Sequence, residues 1–98
     1  MLTLPIKKKW FDMILSGEKK EEYREIKPYY EKRFEIYIMY QNLTRYKANY
    51  ILFRNGYKKD SPTIKCKVVI FRAFGKEEWG AEPNKLYYVL KILSVEEI

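Results

Sequence analysis

The stretch Gly17–Arg24, with the sequence GEKKEEYR, holds the side chains best suited to chemistry. If a β-strand follows Gly17, its period of two places Glu22 and Arg24 on one face, with Lys19 at the corner before the strand. In such a group the two cations can hold a phosphate, and the carboxylate can accept a hydrogen bond from a base amine. If burial and Arg24 lower the lysine pKa, Lys19 can act as a general base. The alternative is a solvated edge strand, where exposed ion pairs contribute about 0–1 kcal/mol.

The elements around this stretch follow from hydrophobic spacing. Met1–Ile6 predicts a first strand, and the spacing of Trp10, Phe11, Ile14 and Leu15 predicts a helix with these residues on its buried side. Gly17 is expected to end that helix, because glycine readily adopts the left-handed conformation. Lys7–Lys9 lie at the start of this helix, where positive charge is unfavourable because the N-terminal end of the helix dipole is itself positive. They therefore either face an anionic ligand or form the exposed side of an amphipathic helix.

The remainder of the chain predicts an α+β domain that spans residues 1–98. Proline is favoured at the first position of a helix, so we expect a second helix to begin at Pro28. The residues of this helix that face the core, at helical spacing, are Tyr30, Phe34, Tyr37 and Ile38. Residues 39–49 predict a connection or a short extra helical turn. The expected strands are Asn49–Arg54, ended by a tight Asn55-Gly56 turn, then Thr63–Phe74, and, after a loop over Gly75–Pro83, Leu86–Val95. Thr63–Phe74 becomes apolar on both faces, which favours a closed sheet and a small β-barrel of about five to six strands with two short helices.

Composition narrows the functional classes. The net charge is +7, and residues 1–67 hold 16 Lys and Arg against 8 Asp and Glu, which favours a polyanionic partner, although solubility also explains a basic chain. The absence of histidine excludes Ser/His/Asp and Cys/His catalysis within the chain and, with one cysteine, makes a zinc site unexpected. Cys66 is expected to be a small buried hydrophobe. We expect no membrane span, no metal, no cofactor and a cytoplasmic protein, with the oligomeric state open.

The motif G-x-K-x-x-E-x-R in Gly17–Arg24 resembles the signature of the ASCH domain, a small β-barrel family related to PUA domains. Companion stretches agree with the resemblance: they are Leu2–Lys7, Phe53–Tyr57, Gly75–Pro83 and Tyr87–Leu90. The resemblance implies a PUA-like barrel and binding of RNA or a nucleotide in a basic cleft around the motif. The ligand-binding residues that it implies are Gly17, Lys19, Glu22, Arg24, Asn55, Tyr57 and Trp79. Within its loop, Trp79 is either a lid on the core or a platform for a base.

Two other functions remain as alternatives. The broader family includes amidohydrolases that deacetylate a modified cytidine, and ribonucleases, which makes Lys19 and Glu22 the candidate catalytic residues, with Glu77 or Glu78 as a further acid or base. The amidohydrolases carry a threonine nucleophile three positions after the motif lysine, where this chain has Glu22. The other alternative is a regulatory module that binds protein.

Overall fold

A computed structural model describes residues 1–45 and 48–98. The elements, in chain order, are β1 (Leu2–Pro5), α1 (Lys8–Leu15), β2 (Glu21–Glu25), α2 (Pro28–Leu43), β3 (Asn49–Arg54), β4 (Thr63–Phe74), a 3₁₀ turn (Glu77–Trp79) and β5 (Leu86–Glu97). The α+β class, the two helices and the number of strands therefore agree with the sequence-based prediction. The predicted bounds of β3 and β4 are confirmed, and β5 runs two residues beyond its predicted end.

The five strands form one curled sheet in the order β1-β3-β4-β5-β2. β1 runs parallel to β3, and the other neighbouring pairs are antiparallel. The sheet curls into half a barrel whose edges are β1 and β2, so the predicted closed sheet is wrong for the described part of the chain. Backbone closure is disfavoured because both edge strands are short and Pro5, at the end of β1, has no N–H to donate. The opening between these two edges holds the candidate site.

Residues 39–43 continue helix α2, so of the two alternatives predicted for this stretch the helical turn is the one found there. The buried side chain of Gln41 holds this last turn against the sheet: its amide donates to the Ile70 carbonyl at 2.8 Å and accepts from the Ile70 N–H at 2.8 Å. Of the stretch predicted to span 39–49, residues 46 and 47 lie outside the described residues. The predicted core stripe of α2 is confirmed, with Phe34 fully buried and Tyr30, Tyr37 and Ile38 packed against the core.

Two local predictions are corrected. Gly56 has a positive φ of 127°, but residues 55–62 form a longer loop between β3 and β4, closed by the Asn55 N–H bonding to the Pro62 carbonyl at 2.9 Å. In α1, Phe11 and Ile14 are buried as expected, whereas Leu15 is exposed because the helix ends there.

Cys66 lies in the core as predicted, and burial raises the pKa of its thiol to about 12. Neither described helix is long and apolar enough to cross a membrane.

Candidate functional site

Arg24 spans the opening of the half-barrel. It lies on β2 and donates from Nη2 to the Pro5 carbonyl of β1 at 2.8 Å, while Nη1 donates to the Tyr30 hydroxyl of α2 at 3.2 Å. The same Nη2 lies 2.8 Å from Glu22 Oε2. One guanidinium therefore joins both edges of the sheet and the second helix, which a rigid multi-donor side chain can do.

Lys19 lies in the chain segment between α1 and β2, where Gly17 has a positive φ of 84° and turns the chain out of the helix. The lysine is 1% exposed, and its ammonium donates to the Trp79 carbonyl and lies 3.3 Å from Glu22 Oε1. The rings of Trp10 and Tyr23 face it, with centroids 4.6 and 5.0 Å from Nζ. Desolvated cation–π contacts of this kind stabilise a buried ammonium.

Glu22 is the shared partner of both cations, with one carboxylate oxygen toward Lys19 and the other toward Arg24. The predicted proximity of these three side chains is thus confirmed. The alternative prediction of a solvated edge strand is right about the edge position of β2 but wrong about solvation, because all three side chains are largely buried. Burial lowers the pKa of Lys19, and the charge of Glu22 only partly offsets this effect. For Arg24, burial lowers the pKa, but the charge of Glu22 and the bond to Tyr30 outweigh burial and raise it.

The loop after β4 is held by hydrogen bonds next to the Lys19–Glu22–Arg24 group. Tyr23 accepts a hydrogen bond from the Lys76 N–H at 2.9 Å and donates to Glu21 at 2.7 Å. The Tyr23 ring packs closely against the backbone at Gly75, where an added Cβ would lie 2.7 Å from the ring. Together with the bond from Lys19 to the Trp79 carbonyl, these contacts place Trp79 beside the opening.

An open cleft of about 410 Å³ lies between the two edge strands, and we call it the central cleft. Its walls combine two half-buried tryptophans, Trp10 and Trp79, with the side chains of Glu22 and Arg24, and the exposed Lys7 lies at its rim. Among the charged residues that line the cleft, Lys7 and Arg24 are balanced by Glu22 and Glu25, and the buried Lys19 beside Glu22 adds one positive charge. Such a site favours an anionic ligand that also has an aromatic face.

The structure brings four of the predicted site residues together and places the others elsewhere. Lys19, Glu22, Arg24 and Trp79 come together, although Lys19 is buried beside Glu22 and only the other three line the central cleft. Asn55 and Tyr57 line a neighbouring depression that shares Pro5, Ile6 and Lys7 with the cleft. Gly17 ends α1 and lines a different surface depression, so its contribution is to the backbone turn. Glu77 and Glu78 are exposed in the 3₁₀ turn.

Sequence reasoning missed three side chains of this site. Trp10 and Tyr30 were assigned only to the cores of their helices, yet Trp10 faces Lys19 and the cleft, and Tyr30 holds Arg24. The period of two in a strand puts Tyr23 on the opposite face of β2 from Glu22, yet Tyr23 too lines the cleft, because β2 is an edge strand and its open side faces the gap. Ten tyrosines in 98 residues signalled excess aromatic surface but not its position.

Among residues 1–45 and 48–98, no group of three or more cysteine and acidic side chains is placed to hold a metal ion. No family model, curated protein or solved structure matches the chain. The fold and the site therefore describe the class of protein. It is an α+β half-barrel with a cationic, tryptophan-walled cleft at its open side.

Proposed function

We propose that this protein binds RNA or a nucleotide in the central cleft, as an ASCH-like domain with a PUA-like barrel. The observation that carries the proposal is the buried Lys19–Glu22–Arg24 group, with its excess positive charge, next to a cleft walled by Trp10 and Trp79. A phosphate is attracted by the net charge and by Lys7 at the rim, and a base can stack on an indole. The motif residues and the curled five-stranded sheet with two helices support the family assignment.

The start of α1 adds to the attraction for phosphate. Lys7 is the N-cap residue and makes no side-chain capping bond, so the first N–H groups of the helix are free to face a ligand at the rim. Lys7 forms no salt bridge with any described residue, whereas Lys8 is paired with Asp12 at 2.6 Å. Of Lys7 and Lys8, the residue that lines the cleft is therefore the one without a carboxylate partner among the described residues.

Binding of a fluorescent single-stranded RNA at 50 and 200 mM salt tests the proposal. We expect Trp79→Ala to weaken binding by roughly 5- to 100-fold, the usual effect of losing a stacking ring. This variant keeps the backbone carbonyl that holds Lys19. Lys7→Ala should weaken binding and reduce the salt slope by about one. Tyr40→Ala and Lys32→Ala are the matched controls, because both residues are exposed on α2 away from the cleft. Affinity that is independent of salt, or unchanged in both cleft variants, would overturn the proposal.

The hydrolase alternative has one observation in its favour, the lowered pKa of Lys19. Against it, the Lys19 ammonium is buried and held by the Trp79 carbonyl and Glu22, and Glu22 occupies the position of the family's threonine nucleophile. The RNA from the binding assay is therefore run on a gel, and an acetylated cytidine is incubated with the protein and analysed by chromatography. Turnover that a folded Lys19→Met variant lacks would replace the binding proposal with catalysis.

The protein-interaction alternative also has an observation in its favour. The outer face of α2 carries an exposed apolar stripe at helical spacing, formed by Ile36, Met39, Tyr40 and Leu43. In this role the stripe would pair with the same stripe of a second copy in an isologous contact. Sedimentation velocity then shows a dimer that Leu43→Glu converts to monomer, while exposed Asn42→Glu does not. A wild-type monomer at high micromolar concentration would exclude this pairing.

A further inference from the structure

Three surface depressions run side by side across the open side of the half-barrel. The central cleft shares Pro5, Ile6 and Lys7 with a depression of about 300 Å³ that ends at Tyr57. On its other side it shares Tyr23–Glu25 and Gly80 with a depression of about 280 Å³ that reaches Lys27 and Lys85. Because neighbouring depressions share lining residues, the three lie next to one another along the open side, and we call this row of depressions the groove.

Cations lie at both junctions between the depressions and at one end of the groove. Lys7 lies where the Tyr57 depression meets the central cleft, and Arg24 lies beside Glu25 where the central cleft meets the third depression. At the far end Lys85 is paired with Glu25 and Glu82 at 3.7 and 3.4 Å, and Lys27 is a further cation. A cation at each junction is where the phosphate between two successive nucleotides would lie, if each depression held one nucleotide unit.

The two ends of the groove differ in chemistry. At one end Tyr57 is 92% exposed, with its ring open to solvent, beside Pro5 and Ile6. At the other end the rings are already occupied: Tyr30 is stacked on Phe34 with centroids 5.5 Å apart, and the buried Tyr87 accepts a hydrogen bond from the Glu82 N–H. Lys27 is the cation at that end without a carboxylate partner among the described residues, because Lys85 is paired with Glu25 and Glu82. Lys27 is exposed, and its Nζ lies 5.6 Å from the Tyr30 ring. One end can therefore stack a base, and the other can hold a phosphate.

We infer that the groove binds a single-stranded RNA of at least three nucleotides, with a base on Tyr57 and a phosphate at Lys27, and that a lone nucleotide fills only the central cleft. This inference rests on the proposed function and specifies its ligand. Continuous grooves that track the backbone and offer stacking rings are the usual means of binding single strands without strict sequence preference.

The test is a length series, with a labelled nucleoside monophosphate, a dinucleotide, a trinucleotide and a hexanucleotide of one base at constant salt. We expect affinity to rise at least tenfold from monophosphate to trinucleotide and little beyond. Tyr57→Ala should weaken trinucleotide binding by roughly 5- to 100-fold, and Lys27→Ala should weaken it and reduce its salt slope by about one. Neither variant should alter monophosphate binding. Both side chains are exposed, so both variants are expected to fold, and Tyr40→Ala and Lys32→Ala are again the controls.

Monophosphate and hexanucleotide binding with equal affinity, unaffected by Tyr57→Ala and Lys27→Ala but lost in Trp79→Ala, would overturn this inference and leave the proposed function standing. Absence of binding at every length would overturn both.

Discussion

Glu22→Gln is expected to lower the free energy of unfolding by about 3–5 kcal/mol at pH 7, the usual cost of removing one member of a buried ion pair. The reason is that Lys19 and Arg24 share this one carboxylate, and their side chains are 0% and 11% exposed. Without it, two buried cations face each other. Urea unfolding of the wild type and the variant measures the difference.

The pH dependence of that loss has a definite sign. Burial already lowers the pKa of Lys19, and removal of Glu22 removes the charge that raises it, so the pKa falls further in the variant. Between the lowered pKa of the folded variant and the ordinary lysine value of about 10.4, the unfolded variant then binds more protons than the folded one, and stability rises with pH in that window. The deficit of Glu22→Gln relative to wild type should therefore shrink between pH 7 and pH 9.5, and part of it should persist because Arg24 stays charged.

Two variants give this experiment its controls. Glu25→Gln removes a carboxylate from the same strand, but that side chain is 56% exposed, so we expect a change within about 0.5 kcal/mol. Lys19→Met removes one cation and leaves Glu22 paired with Arg24, so its cost should be clearly smaller than that of Glu22→Gln. Equal losses for Glu22→Gln and Glu25→Gln would contradict the description of Glu22 as the shared buried partner.

Gln41→Met is the second substitution with a large expected effect, a loss of about 2–6 kcal/mol in the free energy of unfolding. It leaves both backbone groups of buried Ile70 without a partner, at about 1–3 kcal/mol each. Pairing between β3 and β4 ends at Asn49 and Val68, so no strand can replace the side-chain amide at Ile70. Asn49 Nδ2, 3.3 Å from Gln41 Oε1, loses its acceptor as well. Chemical denaturation measures the loss.

Amide hydrogen exchange locates the same effect. The Ile70 N–H should lose protection in Gln41→Met, because its acceptor is gone, while amides paired between β4 and β5 should follow only the global change in stability. Asn42→Met, on the exposed neighbour, is the control and should change stability by less than about 0.5 kcal/mol. An unchanged Ile70 exchange rate would show that Gln41 does not hold α2 to the sheet.

The types and approximate bounds of the secondary-structure elements could be predicted from the sequence because they depend on local periodicity. Apolar spacing located both helices, and alternation located β3 and β4 at their observed bounds. The contact of Glu22 with Arg24 was also predictable, since residues two apart on a strand project side by side. Periodicity did not decide the end of helix α2, because its last turn is held by Gln41 contacting Ile70, a residue 29 positions away.

The sequence by itself determined which charges stand together: Lys19, Glu22 and Arg24 are close along the chain, and a turn followed by a strand is enough to group them. Only the tertiary structure decided what surrounds them. The contacts that bury Lys19 and direct Arg24 reach Trp79, 60 residues away, and Pro5, 19 residues away. Periodicity identifies the faces of a strand but not its neighbours, and strand order is set by how the whole sheet packs. The open edge between β1 and β2, and with it the cleft, is therefore a property of the folded sheet.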